Sequence, residues 1–240
     1  MADAQRQRTI TVGCAVAGGG PAGVMLGFLL ARAGVKVAVL EKHEDFFRDF
    51  RGDTIHPSTL QVMHELGLLE AFLKLPHQKV ERLGAEIGDQ MVQIADFSHL
   101  PTAAKFIALM PQWDFLDFLA AQGKRYPGFD LHMAADVDEL ITEGGKVAGL
   151  KAATHHGDLE IRAALVVGAD GRHSTVRSLA RLPVENLGAP MDVLWMRLSR
   201  RPEDGEETLG RIEPGRVFIM INRGDYWQCA FVIPKGGFNE

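Results

Sequence analysis

Three glycines and one carboxylate near the start of the chain have the types and spacing of a phosphate and ribose site. Gly18, Gly20 and Gly23 follow an apolar run, and Glu41 comes about 20 residues later. A glycine, lacking Cβ, allows a tight turn or the close approach of a phosphate to the main chain. The carboxylate can accept hydrogen bonds from a ribose diol and disfavours a 2′-phosphate. The pattern predicts a pocket for the adenosine diphosphate half of FAD or NAD.

The elements that must position these residues can be predicted from the surrounding sequence. Val12–Val16 is a short β-branched run typical of a buried parallel strand. Pro21 suits the first turn of a helix, and Gly34 suits its end. The start of that helix would offer unpaired N–H groups and a partial positive charge to phosphates. A second strand leads to Glu41 and completes the strand–turn–helix–strand order of a dinucleotide-binding unit.

A structural turn or a membrane span could also account for this segment. The glycines could form a purely structural turn, and the uncharged stretch from Thr9 to Ala31 could cross a membrane. The glycines and Pro21 interrupt that stretch, however, and leave an apolar helix of only about a dozen residues, too short to span a bilayer. The sequence therefore favours dinucleotide binding, and we expect no membrane span.

Composition narrows the class of protein further. The 240 residues are 46% hydrophobic and 24% charged, which is typical of a soluble globular protein, and the net charge of −5 makes nucleic acid an unfavourable partner. Cys14 and Cys229 form no Cys-x-x-Cys, so we expect neither a metal site nor a disulfide framework. No secretory signal is visible, and we expect a cytoplasmic location. Arg197, Arg200 and Arg201 are interpreted as a solvated basic face.

The rest of the chain alternates helical and strand patterns. Ser58-Thr59-Leu60-Gln61 matches a capping box and predicts a helix over Thr59–Leu66, and a second helical stretch follows over Leu68–Leu75. A strand pair turns at Gly88-Asp89. The remaining predictions are a strand at Phe106–Met110, a helix at Gln112–Ala121, an antiparallel meander of short strands at Leu131–Met133, Val137–Thr142, Val147–Thr154 and Leu159–Ala163, a parallel strand from Leu165 to Gly168, and strands at Val193–Leu198, Val217–Ile221 and Tyr226–Ile233.

At this point the chain resembles the FAD-dependent aromatic hydroxylases, the single-component flavoprotein monooxygenases of the para-hydroxybenzoate hydroxylase type. The resemblance rests on the glycine motif with Glu41, on Arg51 within Arg-Gly-Asp-Thr-Ile-His-Pro, and on Gly168-Ala-Asp170-Gly171-Arg-His173-Ser-Thr-Val-Arg177. Met110-Pro111-Gln112 is a softer match. Together these motifs cover about three quarters of the chain.

The resemblance implies a fold and its domains. The fold class would be α/β, a Rossmann-like FAD-binding domain with an inserted β-meander plus part of a mostly antiparallel substrate-domain sheet. The FAD-binding domain would comprise residues 1–79 and 103–183. Residues 80–102 and 184–240 would belong to the substrate domain, apparently truncated at its C-terminus.

The resemblance also implies roles for single residues. Gly18, Gly20 and Gly23 would hold the FAD pyrophosphate, and Glu41 the adenosine ribose. Further cofactor contacts would come from five sites: Arg51 near the flavin or pyrophosphate, Gln112 near the ribityl chain, the backbone of Val137 beside adenine, the Asp170-Gly171 turn, and the pair His173 and Arg177. In the family the Asp-Gly motif serves both FAD and the transient visit of NAD(P)H.

Each of these residues also has a structural interpretation. Arg51 could be a solvated loop residue, Asp170 a helix cap, and Gln112 an ordinary first residue of a helix. His173 could start a helix without any ligand. The residue chemistry leaves both interpretations open, although a guanidinium suits phosphate oxygens better than an ammonium does.

One departure from the family pattern concerns its third motif. The family carries a Gly-Asp followed by small residues and His, and none of the Gly-Asp pairs at 52, 88, 157 and 224 is followed in that way. Gly224-Asp225 is part of a predicted hairpin instead. We therefore expect these residues to be the front part of a longer protein.

The reaction implied by the resemblance is hydroxylation of an aromatic or other apolar small molecule with NAD(P)H and O2 through a flavin hydroperoxide. The flavin carries the chemistry, and no catalytic residue can be named. A substrate would lie against apolar sheet residues, which could equally be plain core: Met91, Val92, Ile94, Phe97, Phe218, Met220, Trp227 and Phe231. A homodimer is left open.

Two rival functions remain at this stage. The first is a flavin-dependent halogenase or a reductase on the same fold; Cys229 and Phe231 occupy the tryptophan positions of the halogenase Trp-x-Trp-x-Ile-Pro motif, which counts against a halogenase. The second is a catalytically silent dinucleotide-binding fragment.

Overall fold

The computed structural model describes residues 8–47, 54–205 and 209–238. Arg51 lies outside the described residues. In chain order the elements are β1 (Arg8–Ala17), α1 (Pro21–Arg32), β2 (Val37–Leu40), β3 (Thr54–Ile55), α2 (Pro57–Glu65), α3 (Leu69–Phe72), β4 (Gln78–Val80), β5 (Arg82–Ile87), β6 (Gln90–Asp96), β7 (Ile107–Leu109), α4 (Gln112–Gly123), β8 (Phe129–His132), β9 (Ala135–Glu143), β10 (Lys146–Thr154), β11 (Gly157–Gly168), α5 (Thr175–Leu179), β12 (Met191–Ser199), β13 (Leu209–Glu213), β14 (Arg216–Asn222) and β15 (Tyr226–Pro234).

The chain divides into two compact units. Unit 1 comprises Met1–Arg48 and Gln112–Val184, and unit 2 comprises Asp49–Pro111 and Glu185–Glu240. Residues 49–79 and 103–111 therefore belong to unit 2 by packing, whereas the sequence predicts that they belong to the FAD-binding domain. Compactness and cofactor binding need not divide a chain at the same residues, so the functional boundaries stay a prediction.

Unit 1 is built on a six-stranded sheet in the order β8-β2-β1-β11-β10-β9. β1 lies between β2 and β11 and is parallel to both. Its last four residues, Cys14–Ala17, are buried, as an apolar strand flanked on both sides requires. α1 ends in a Schellman motif in which Gly34 has φ +84° and Val35 N–H donates to Leu30 O, as the sequence predicts for Gly34.

Close helix packing covers this sheet. At Gly27 of α1 a Cβ atom would lie 2.4 Å from the Val39 side chain, and at Gly123 of α4 it would lie 2.8 Å from the Phe129 ring. These contacts leave no room for larger side chains. α1 therefore packs directly on β2, and α4 packs directly on β8.

The predicted meander is wrong at both of its ends. β8, which includes Leu131, pairs in parallel with β2 and belongs to the nucleotide-binding part of the sheet. The predicted strands on either side of Ala164 form the single strand β11, which pairs in parallel with β1 and antiparallel with β10. The alanines at 163 and 164 weaken the local strand signal, but β1 pairs with the chain on both sides of Ala164 and overrides it. The meander is therefore β9-β10-β11.

Unit 2 contains a six-stranded sheet in the order β12-β15-β14-β13-β5-β6 and a three-stranded sheet in the order β3-β7-β4. All pairings are antiparallel except β13 with β5. The strand pair at Gly88-Asp89 is confirmed, and the α/β class with a mostly antiparallel second sheet is confirmed. The sequence missed the short strands β3 and β4 and also β13.

Two helix predictions in unit 2 need correction. α2 begins at Pro57, with His56 as the N-cap, so Ser58 is inside the helix and forms no capping box. The side chain of Gln61 instead donates to Glu65 and accepts from Ala103 N–H. The second helical stretch is only the single turn α3, because the chain leaves the helix before Pro76.

Arg200 is not part of a solvated face. Its guanidinium donates to the carbonyl of Gly224 at 2.9 Å and lies over the Trp227 ring. Trp227 Nε1–H donates to Asp204 Oδ2 at 3.1 Å, and Arg201 N–H donates to the same oxygen at 2.9 Å. This cluster ties the loop after β12 to the β14–β15 turn.

Asp204 gives a pH-dependent prediction. Its hydrogen bonds from Arg201 N–H and Trp227 lower its pKa below the usual 3.8, because they favour the ionised form. The stabilisation is therefore complete above the unfolded-state pKa and is lost as the pH falls through the folded-state pKa. In thermal unfolding between about pH 2 and pH 7, the deficit of Asp204→Asn relative to wild type should shrink as the pH falls. A pH-independent deficit would contradict this assignment; Glu203→Gln, the exposed neighbour in the same loop, is the control.

Candidate functional site

The turn after β1 is formed by main chain pressed against main chain. Gly18 has φ +104°, and a Cβ atom there would lie 2.4 Å from Ala169 O. Gly18 N–H donates to Leu40 O at 2.7 Å, and Ala169 N–H donates to Ala17 O at 2.7 Å. The carboxyl ends of β1, β2 and β11 therefore meet at Gly18. Parallel α/β sheets bind ligands at such an edge.

The start of α1 is open in front of Gly20. Gly23 must lack a side chain because its Cβ atom would lie 1.9 Å from Gly18 O, whereas a Cβ atom at Gly20 would meet nothing within 4 Å. Gly20 is the N-cap without a side-chain hydrogen bond, and Pro21 follows at N1. Gly20 therefore caps none of the N–H groups of the first helical turn, and these groups form the positive end of the helix dipole. An anionic diphosphate fits this arrangement.

Glu41 turns its carboxylate toward the glycine turn. Oε2 accepts from Gly19 N–H at 3.0 Å, and Oε1 accepts from His43 N–H at 3.1 Å. The side chain is 13% exposed. A Cβ atom at Gly19 would lie 2.6 Å from Glu41 Cβ. The acid predicted from its spacing therefore lies directly beside the phosphate turn.

The β8–β9 connection lies on the other side of Glu41. Ala134 N–H donates to His43 O at 2.8 Å, and Ala135 N–H donates to Glu41 O at 2.9 Å. Ala134 has φ +51°, a conformation that is rare for a residue with a side chain. Val137 follows on the edge strand β9, and its side chain is buried in the core of the sheet. β9 therefore begins next to Glu41, and Val137 lies two residues further along this strand.

Asp170 has one oxygen in use and one without a partner. Oδ2 accepts from Val176 N–H at 3.1 Å, and so Asp170 helps to cap α5. Oδ1 is buried and has no hydrogen-bond partner among the described residues. A buried acceptor without a donor is costly, and in a binding site such an atom indicates a missing hydrogen-bond donor. Gly171 follows with φ +83°.

The rest of the Asp-Gly motif makes mostly local contacts. Arg177 Nη2 donates to the carbonyl of Arg172 at 2.6 Å, and Arg177 N–H donates to the Ser174 Oγ cap at 2.9 Å. His173 is exposed in the turn before α5. Gln112 is the first residue of α4 and is half-buried. The structure brings Gly18, Gly20, Gly23, Glu41, Asp170 and Gly171 to one edge of unit 1.

Burial shifts the pKa of two groups in unit 1. The pKa of the Cys14 thiol is raised by its burial in β1, which keeps it neutral below the glycine turn. The pKa of Asp114, in the first turn of α4, is raised by burial and then by the neighbouring Asp117. Neither shift adds negative charge at the phosphate position.

A cavity of about 340 Å³ lies on unit 1 between the loop after Glu41 and α4. Its wall includes Phe47 and Trp113, whose ring centroids are 4.9 Å apart, together with Asp117 and Lys124. It is lined by none of the residues predicted to bind the cofactor.

None of the described helices is long and apolar enough to cross a membrane.

Sequence reasoning missed two residues of this site. Gly19 occupies a position that the glycine fingerprint leaves free, but here Glu41 requires a glycine. Ser174 caps α5 through Arg177 N–H. The Ser-Thr-Val-Arg sequence carried the signal for this cap, since serine before a helical turn is a preferred N-cap.

Together the strand, glycine turn, helix and acid define a dinucleotide-binding unit. The profile of the FAD binding domain family matches residues 11–233. The chain therefore belongs to this family, and the predicted cofactor, FAD, is confirmed, as is the resemblance to the flavoprotein monooxygenases.

Similar proteins agree with this assignment. The chain is 30% identical over 224 residues to 6-methylpretetramide 4-monooxygenase of Streptomyces rimosus, covering 93% of this chain and 53% of that protein. It is 26% identical over 228 residues to 3-demethoxyubiquinol 3-hydroxylase of Escherichia coli, covering 89% of this chain and 55% of that protein. The chain thus spans about half the length of the curated relatives it matches.

Solved structures share the fold at low sequence identity. p-Nitrophenol 4-monooxygenase of Pseudomonas putida superposes with a TM-score of 0.81 at 20% identity, covering 98% of this chain and 60% of that one. The myxobacterial chondrochloren halogenase has a TM-score of 0.78 at 18% identity, covering 94% and 53%. The fold is therefore common to hydroxylases and halogenases and does not by itself distinguish them.

The open space at Gly20 gives a direct prediction. Gly20→Val should abolish FAD retention, because its side chain would enter the space in front of the α1 N-terminus without disturbing the protein around it. The measurement is the flavin absorption of the purified protein. Gly205→Val is the matched control, since a Cβ atom there also meets nothing within 4 Å. An unchanged flavin spectrum in Gly20→Val would contradict this placement of the pyrophosphate.

Proposed function

We propose that the protein is a FAD-dependent monooxygenase that uses NAD(P)H and O2 to hydroxylate an aromatic or other apolar small molecule. The observation that carries the proposal is the open, side-chain-free N-terminus of α1 beside Glu41, in a chain whose relatives are monooxygenases and hydroxylases. Unit 1 would bind the cofactor, and the sheet of unit 2 would contribute to the substrate site. We also propose a cytoplasmic location.

The adenosine diphosphate half of FAD would bind along one edge of unit 1, which is formed by the ends of β1 and β2 and by the main chain of β9. The pyrophosphate would accept hydrogen bonds from the first turn of α1, next to Gly20. The ribose hydroxyls would donate to Glu41, and the adenine would lie beside the main chain at Val137. Gly18 and Gly23 support this by allowing the turn and helix to approach each other closely.

Asp170 suits a hydroxyl of the cofactor better than a phosphate. Its orphaned Oδ1 is an acceptor, and a phosphate oxygen would offer it only like charge. A ribityl hydroxyl or another donor would satisfy it. Gly171, His173, Arg177, Gln112 and Arg51 complete the proposed cofactor contacts, and the guanidinium groups are the members suited to phosphate oxygens.

When bound, FAD would supply the redox chemistry that couples NAD(P)H and O2 to hydroxylation, with one oxygen atom entering the substrate and the other leaving as water. The protein's part is to hold the cofactor, orient the substrate and exclude water. Trp227 is buried and Phe218 meets Phe231 edge-on at 6.2 Å, whereas Met91 and Ile94 are exposed. An apolar substrate is the class that these sheet residues favour.

The experiment is a two-stage assay on the full-length protein. Purified protein should carry a flavin spectrum, and NAD(P)H should drive O2 uptake that a matching phenol stimulates. With isotopically labelled O2, one labelled oxygen atom should appear in the product. The Gly20→Val protein, prepared in parallel, is the control without retained flavin.

Each rival predicts a different result. Product that forms only with chloride or bromide would identify a halogenase, and NAD(P)H oxidation without a labelled product would identify a reductase. Protein that neither retains nor binds FAD would contradict the proposed function as a whole.

A further inference from the structure

Glu41 makes contacts that a ribose acceptor does not need. Both of its carboxylate oxygens accept main-chain N–H groups, from Gly19 at 3.0 Å and from His43 at 3.1 Å. Gly19 is buried, and it lies in the turn itself, immediately before the N-cap of α1. A carboxylate therefore satisfies a buried main-chain donor of the phosphate turn.

The contact between Glu41 and the turn is also one of close packing. A Cβ atom at Gly19 would lie 2.6 Å from Glu41 Cβ and 3.1 Å from its Oε2. The neighbouring Gly18 is fixed by its hydrogen bond to Leu40 O, the residue before Glu41. The end of β2 thus holds two successive peptide groups of the turn, one through a carbonyl and one through a side chain.

This arrangement determines how the peptide leading to Gly20 is oriented. Gly20 has open space in front of it and no side-chain cap, so no described protein side chain fixes it from the ligand side. The carbonyl of Gly20 accepts from Val24 N–H of α1 at 2.9 Å, and the peptide on its other side follows Gly19, which Glu41 holds. A preorganised turn binds an anion more tightly than one that must be ordered on binding.

We infer that Glu41 is a positioning residue for the phosphate turn as well as a ribose acceptor. Part of its contribution to FAD affinity should then pass through the pyrophosphate half and persist when the ribose hydroxyls are absent. The inference rests on the proposed FAD site and assigns Glu41 a second role within it.

The test compares ADP with 2′,3′-dideoxy-ADP, which keeps the diphosphate but cannot donate ribose hydrogen bonds. Both are titrated against the cofactor-free full-length protein by calorimetry, in wild type, Glu41→Ala and Glu41→Gln. Glu41→Ala should weaken 2′,3′-dideoxy-ADP binding by about three- to tenfold, the effect of one lost hydrogen bond. Glu41→Gln should recover most of this loss, because its amide oxygen can still accept from Gly19 N–H.

A second measurement needs no nucleotide. Amide hydrogen exchange at Gly19 should be about tenfold faster in Glu41→Ala than in wild type, while the amides of β1 and β11 keep their protection. Glu44→Ala is the control, since this carboxylate lies three residues further on and contacts His155 rather than the turn.

The outcomes separate the two levels of the proposal. Equal 2′,3′-dideoxy-ADP affinity in wild type and Glu41→Ala, with unchanged Gly19 exchange, would overturn the positioning role and leave Glu41 as a ribose acceptor only. If wild type binds neither FAD nor ADP, the cofactor site itself is wrong. If Glu41→Ala does not fold, Glu41→Asp provides the same comparison, since its shorter side chain withdraws from Gly19.

Discussion

The structure of unit 1 depends on main chain approaching main chain where β1 gives way to α1. Gly18 faces Ala169 O and Gly23 faces Gly18 O at distances that no Cβ atom could tolerate. Because the turn is this tight, α1 begins immediately after the strand and its N-terminus opens at the edge of the sheet. The absence of a side chain at Gly20 then leaves that N-terminus accessible to an anion.

The order of the strands brings the remaining site residues to the same edge. β1 lies between β2, which leads to Glu41, and β11, which leads to Asp170. The two carboxylates are used differently. Glu41 holds the glycine turn through main-chain hydrogen bonds, and Asp170 caps α5 while its second oxygen has no donor among the described residues. This arrangement supports the proposed site for a charged diphosphate with hydroxyl groups on either side.

The sequence was most informative where backbone geometry restricts residue type. The glycine positions, Gly34 at the end of α1 and the β5–β6 turn at Gly88 could be predicted because each requires φ above zero or the absence of Cβ. The sequence was least informative where tertiary contacts override local pattern. β11 continues through Ala163 and Ala164 because β1 pairs with it on both sides of Ala164, and β8 joins the parallel sheet although its residues resemble a meander strand.

The candidate site shows the same division. Spacing pointed to Glu41 and the family resemblance to Asp170, but no local pattern indicates that Glu41 binds Gly19 N–H or that Asp170 leaves one oxygen unpaired. These features depend on strands that are distant in sequence and meet only in the folded sheet. The basic cluster at Arg200 was likewise misjudged, since its carbonyl and indole partners come from the β14–β15 hairpin.

A crystal structure of the protein with FAD bound would test the proposed cofactor site most directly. Pyrophosphate oxygens should lie within hydrogen-bonding distance of the first-turn N–H groups of α1, in the open space at Gly20. A pyrophosphate bound away from the β1–α1 turn, with that space filled by protein side chains, would contradict it.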